Sequence, residues 1–309
     1  MVKTVDQYFA GSRNAIQNAN VGLILDSVIA ELQLDKNRKF IYVEIAFFVR
    51  WWRRQSQATK RIVRQLVAEG RLEFINAGWV MNDEAATLYT DIIDQHTAGA
   101  LKIATEFSTD ASPRVGWQID PFGHSSFQNK AFREMCFDGW LVGRADAQDM
   151  AIREATGALE MVIPYPFKMD GVKVYRYSPP TGFNFDVLGN DPPVQDDPML
   201  EDVNVTHRLD SLRDICLDQA KSYNPVNGGS GKSQNIILTM GMDFNYQQAK
   251  TWFQNMDKLI HYSKLVADQQ LSNSRDSSHI LNSRHAQYDG GVGLPIKDSD
   301  EDFFPYGDG

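Results

Sequence analysis

At 309 residues, with 42% hydrophobic and 23% charged side chains, the chain has a globular composition and can bury a sizeable core without staples. Its formal charge of -9 argues against a nucleic-acid backbone or an anionic membrane surface as the main partner. No apolar run reaches the roughly 20 residues that span a bilayer, and "MVKTVDQYFAG" shows no apolar core of a secretory signal.

Val21, Ile24, Leu25, Val28, Ile29 and Leu32 recur at helical spacing and predict an amphipathic helix from about Ser12 onward. "KFIYVEIAFF" is β-branched and aromatic, the composition of a buried strand. A helix follows over Lys60 to Glu69, with Gly70 as its stop. "LEFINAGWV" is the next strand and "DIIDQHTAGALKIATEF" the next helix. "RVGWQID" is a strand, Ser125 to Phe137 a helix containing Cys136, and "GWLVGR" a strand. Beyond it, "YRYSPPTGFNFDVLGNDPPVQDDPML" has the composition of a surface excursion and "SYNPVNGGSGKSQ" that of a flexible linker. "NIILTMGMDF" is a further strand and "QQAKTWFQNMDKLIHYSKLV" a helix. Two units are expected, an α/β domain over 1–266 and a polar tail over 267–309. Both cysteines, Cys136 and Cys216, are expected to be free and buried. One sequon, Asn204-Val205-Thr206, would matter only in a secretory compartment.

Strand and helix alternate at the spacing of βα units, which implies a parallel sheet or barrel with its chemistry at the carboxyl ends of the strands. Polar clusters stand at those ends: Asn82-Asp83-Glu84, Asp120 and Arg144. Asp120 follows "VGWQI" and Asp243 follows "IILTMGM", so two acids leave core strands together. Such a pair suits glycoside hydrolysis, one acid attacking the anomeric carbon and the other protonating the leaving oxygen. Trp117, Phe122, Phe244 and Tyr246 would stack on a sugar ring. The same residues also have bland readings. "DPFG" is good turn chemistry, Asp83 and Glu84 can cap the next helix, His124 can serve a turn, and Trp51-Trp52 suits a core.

The ordered segments "AFFVRWW", "AGWVMNDEA", "GWQIDPFGHS" and "MDFNY" resemble glycoside hydrolase family 38, the class II α-mannosidases, most of all the lysosomal-type acid enzymes. The resemblance runs from "VKTVDQYFAG" to "DFFPYGDG" and implies a seven-stranded α/β barrel-like catalytic domain, truncated here at both ends. It implies retaining hydrolysis of terminal α-mannose in mannose-containing oligosaccharides or glycoproteins, in lysosomes, with one Zn²⁺. By that resemblance Asp120 is nucleophile and zinc ligand, and Asp243 is the general acid/base. Phe122, Arg144 and Tyr177 then line the sugar pocket.

The departures carry expectations too. The family's H-x-D-x-G-W motif would lie just ahead of "KTVDQYF", where Met1 stands in place of its Trp. A further family histidine lies beyond "DFFPYGDG", so Asp120 alone remains of four expected zinc ligands. Asn184 and Gly189 replace a cysteine pair, and Leu88 stands where His is common. These absences imply little turnover by the 309 residues alone. The alternative is a non-catalytic remnant that binds sugar weakly.

Overall fold

The computed structural model describes residues 21–156, 161–163, 172–176, 209–210, 212–217, 241 and 245–271. The six apolar positions at helical spacing become the buried face of α1, Val21–Leu34. Its last carbonyls are taken up by the Arg71 guanidinium, which donates to Leu32 O and Asp35 O.

The strand expected over 39–48 is cut short. Only Phe40–Tyr42 is strand, β1, and Ile45–Arg54 is helix α2. An unbroken apolar run does not discriminate a buried strand from a buried helix. Here seven of the ten helical residues are buried, so periodicity was never visible in the run. The first α2 amides have no side-chain cap; Ile45 N and Ala46 N donate instead to Gly78 O and Trp79 O, at 3.2 and 2.8 Å. Helix α3, Gln57–Ala68, begins on a Ser56 hydroxyl that accepts from Thr59 N. It ends at Gly70, whose φ of 65° lets Arg71 N reach back to Leu66 O, as the glycine stop predicts.

Next come β2 (Leu72–Phe74), α4 (Tyr89–Phe107), β3 (Val115–Gln118), α5 (Ser126–Glu134) and β4 (Gly139–Val142). Helix α6 (Ala147–Thr156) and strands β5 (Met161–Ile163) and β6 (Val172–Arg176) were not foreseen. Helix α7 spans Ala249–Leu271, so the boundary expected at 266 falls inside it. The expected strand over 235–244 apart from Gly241, the linker, the sequon, Asn184, Gly189 and residues 272–309 lie outside the described residues.

β1 and β2 pair in parallel, and β3-β4-β6 form a second parallel set with β5 antiparallel at its edge. The α/β alternation is therefore present. The seven-stranded closure is not found among the described residues, which hold six short strands in two sheets. Asn76 bridges the sheets. Its amide donates to Val115 O at 2.7 Å, and its side-chain oxygen accepts from Trp117 N at 3.0 Å. Asn76 and Ala77 have φ of 66° and 57°, left-handed values that stop β2 well before the end of "LEFINAGWV".

The main core packs α1, α2, α3, α7 and the first sheet around Phe48, whose ring meets those of Tyr42, Trp51, Trp52, Phe74 and Phe107. Trp51 and Trp52 are core residues, each 2% exposed. Tyr246, expected as a sugar platform, is buried against Phe40, Trp252 and Phe253, so it belongs to this core instead. A second cluster joins Ala77, Phe132, Phe137, Trp140 and Val142 under the second sheet.

Cys136 is free but exposed, against expectation, and Cys216 is half-buried and free. The reason is helix termination. Cys136 follows α5 with φ 63°, and Phe137 N returns to Phe132 O while the two rings pack 4.9 Å apart. A left-handed position is costly for a side-chain-bearing residue. Cys136→Gly is expected to raise unfolding stability by about 1 kcal/mol, read from denaturant midpoints at constant slope; an unchanged or lower midpoint would contradict that account.

Candidate active site

The carboxyl ends of β1 to β4 gather one polar cluster. Behind β1, Glu44 accepts from Met81 N at 3.2 Å and anchors the loop that follows β2. In that loop Asn82 is buried, donating to Gln128 Oε1 and accepting from Gln95 Nε2, so it locks the loop to α5 and α4. Asp83 accepts from Ala86 N at 2.8 Å and more weakly from Phe122 N at 3.4 Å. Glu84 does not cap α4. It is 3% exposed and turns inward to accept from Ser125 N at 3.0 Å and to meet the His124 ring. Leu88, at the start of α4, is exposed and provides no side-chain cap.

Asp120 leaves β3 and is half exposed, its Oδ1 2.7 Å from Arg144 Nη2. Arg144 leaves the neighbouring strand β4, and its guanidinium also lies over the Phe122 ring, 5.7 Å from the centroid. Phe122 is 74% exposed, an apolar face held at the mouth of the cluster. Asp120, Phe122 and Arg144 thus come together as three side chains from two adjacent βα loops. Tyr177 and Asp243 lie outside the described residues, as does Phe244. The Asp120–Arg144 pair is well solvated, so its value lies in orientation more than in stability.

Gly143 makes this approach possible. Its amide donates to Gln118 O at 2.8 Å, and a Cβ there would overlap Ile119 O and its backbone neighbours. Gly143→Ala is therefore expected to push the Arg144 loop off Ile119 and lower stability by about 1–3 kcal/mol. A variant with the parent melting temperature and an intact Asp120–Arg144 contact would show that the crossing has slack.

The sequence suggests Glu84 as a helix cap and His124 as either a turn residue or a support behind the site residues. The structure makes them a buried pair, with Glu84 and His124 side chains 0% and 7% exposed. The one available signal was that both stand inside the segments "VMNDEA" and "DPFGHS", beside the other polar strand-end residues.

Asp120 as a zinc ligand finds little support nearby. Its Oδ1 faces Arg144, both nitrogens of His124 face other partners, and no three His, Cys, Asp or Glu side chains converge on a cation position among the described residues. The described donor set does not fit zinc. At the other end of the sheet, a concavity of about 610 Å³ is lined by Thr109, Arg114, Arg133, Cys136 and Asp138. It opens at the amino ends of β3 and β4, where parallel α/β folds do not place their chemistry.

The profile of the glycosyl hydrolases family 38 N-terminal domain matches residues 1–309. This chain belongs to glycosyl hydrolase family 38. It is 43% identical over 321 residues to the lysosomal alpha-mannosidase of Cavia porcellus, covering 100% of this chain and 30% of that protein. Its identity to the lysosomal alpha-mannosidase of Homo sapiens is 44% over 319 residues, with the same coverage of each, 100% and 30%. The chain thus spans under a third of the length of these relatives. Among solved structures, an alpha-mannosidase from Enterococcus faecalis overlaps 65% of this chain and 21% of its own at a TM-score of 0.46 and 14% identity. That overlap is too loose to assign topology. Among the described residues of this family 38 chain, no helix is long and apolar enough to cross a membrane.

Proposed function

We propose that this family 38 domain hydrolyses terminal non-reducing α-D-mannose residues of glycans with retention of configuration. The reading is supported above all by the meeting of Asp120 and Arg144 at the carboxyl ends of adjacent parallel strands, in a chain of this family. Asp120 attacks the anomeric carbon and forms a glycosyl ester. Arg144 holds one carboxylate oxygen, which fixes the rotamer and leaves the other oxygen to attack. Phe122 offers an apolar face to the ring. Asp243 protonates the departing oxygen, then takes a proton from the water that cleaves the ester, and Tyr177 contributes to the pocket. Zinc on Asp120, which the resemblance implies, would need ligands beyond the described residues; the chemistry assigned here is that of the carboxylates and the guanidinium. By its relatives' names, the lysosome is the proposed compartment.

The test traps the ester. A fluorinated α-mannosyl fluoride slows ester hydrolysis through its electron-withdrawing substituent, while fluoride leaves readily. Mass spectrometry of the digested 309-residue chain should then find a mannosyl adduct on the peptide carrying Asp120. No adduct, with sugar binding retained, would favour the weakly binding remnant. An adduct on another acid would reassign the nucleophile.

A further inference from the structure

We propose that His124, held as an imidazolium between the Glu84 carboxylate and the Arg144 main-chain carbonyl, is a positioning residue that sets where the Arg144 guanidinium meets Asp120. Three loops converge on this ring. Nδ1 lies 3.3 and 3.2 Å from the two oxygens of Glu84, from the loop after β2. Nε2 lies 2.6 Å from the carbonyl of Arg144, from the loop after β4. His124 itself follows β3, and the Trp140 ring of β4 stands edge-on to it at 6.1 Å.

Opposite an ionised Glu84, the hydrogen-bond inventory sets the charge of the ring. A carbonyl only accepts, and an ionised carboxylate only accepts, so both ring nitrogens must donate. Facing that carboxylate, a neutral imidazole with its single N–H would leave one short contact between two acceptors. Glu84 is buried and already accepts from Ser125 N, so the pair is an ion pair shielded from water. Each charge offsets the burial cost of the other; removing either partner leaves an isolated buried charge. Burial works against protonation of His124, but the hydrogen bond and charge of Glu84, with the Arg144 carbonyl, outweigh it and raise the ring above its ordinary value.

The mechanical consequence follows from exposure. The Arg144 side chain is 59% exposed, so solvent does little to hold it in one place. Its main chain is fixed on one side by Gly143 N to Gln118 O and on the other by the His124 bond to its own carbonyl. The ring therefore transmits the position of the buried Glu84 to the guanidinium without touching Asp120 in any described contact. The catalytic part of this inference rests on Asp120 being the attacking carboxylate; the charge and the clamp do not.

The experiment is nitrogen-15 NMR of the imidazole rings in the full 309-residue chain, with His124→Gln identifying the signal among the six histidines. At the pH where an ordinary histidine is half protonated, roughly 6.5, the form with protons on both His124 nitrogens should predominate. Glu84→Gln, which keeps the shape but not the charge, should remove one. A mainly non-protonated nitrogen in the parent chain at that pH overturns the proposal, whatever the activity. For turnover of an aryl α-mannoside, Glu84→Gln should lower kcat between about ten- and a hundredfold while KM stays within about twofold, as displacement of a catalytic contact does. A charged ring with kcat unaltered in Glu84→Gln would also overturn the positioning role. Failure of the Asp120 assignment shows separately, as an Asp120→Asn chain that still turns over while His124 keeps both protons.

Discussion

Asp120→Asn is expected to reduce kcat/KM for an aryl α-mannoside by at least about a thousandfold, roughly 4 kcal/mol of transition-state stabilisation. An amide has nearly the shape of the carboxylate and keeps an oxygen for Arg144, so the ground state changes little. It cannot become a glycosyl ester leaving group of the same kind, and the two-step route is closed. The effect should fall on kcat and leave KM close to the parent value. Stability should be nearly untouched, because the Asp120 and Arg144 side chains are 47% and 59% exposed and such pairs contribute about 0–1 kcal/mol. The prediction is a ratio, so slow turnover by the 309 residues alone does not blunt it until the assay floor is reached. Below that floor the mannosyl adduct carries the same information. An Asp120→Asn chain with parental kcat would end the assignment of Asp120 as nucleophile.

The second large effect is on folding. Phe48→Ala should cost about 3–5 kcal/mol, the range for deleting a buried aromatic ring. Phe48 is 2% exposed, and its ring stands 4.9 Å from Phe74, 5.7 Å from Trp51 and Trp52, and 5.8 Å from Phe107. Those partners come from β2, α2 and the end of α4, so the cavity would open at the junction of three elements that cannot all collapse into it. Melting should fall by about 10 °C or more. The control is Leu101→Ala on the outer face of α4, where the side chain is 62% exposed and the change should stay within about 0.5 kcal/mol. Equal losses from the two variants would mean that the described core does not carry the stability.

Much of this architecture was legible because one face of each element is apolar and the other is not. Helix α1 shows its six core positions in the sequence, and α3 ends on the glycine expected to end it. Where both faces are buried, the signal disappears. The run "IAFFVRWW" is helix because its amides find Gly78 O and Trp79 O, partners more than thirty positions away that no local pattern announces. The early end of β2 is a similar case, since two left-handed residues in succession are a tertiary outcome.

At the site, the placement of Asp120 and Arg144 after adjacent strands was readable from strand order alone. The conversion of Glu84 from surface cap to buried counter-ion was not. It depends on Asn82 and Gly78 pinning the loop and on α5 presenting its first turn to the same carboxylate. Tyr246 illustrates the opposite error. An aromatic residue after a strand-like run suggested sugar stacking, and instead it fills space between Phe40 and Trp252.

The Asn76 bridge has a further meaning for how the molecule breathes. The first sheet and its aromatic core lie on one side of it, and the second sheet with its own core lies on the other. The backbone tie between them at this point is two hydrogen bonds from one residue, in place of a full ladder, with Ile75 packed on Val115 and Leu141 beside it. Cooperative units tend to part where such ties are thinnest. Glu84 lies in the loop that follows the first sheet, while Asp120, His124 and Arg144 lie in the loops that follow strands of the second. The acidic centre straddles that tie, so the His124–Glu84 ion pair is a fastener across it, beside the hydrogen bond from Asn82 to Gln128.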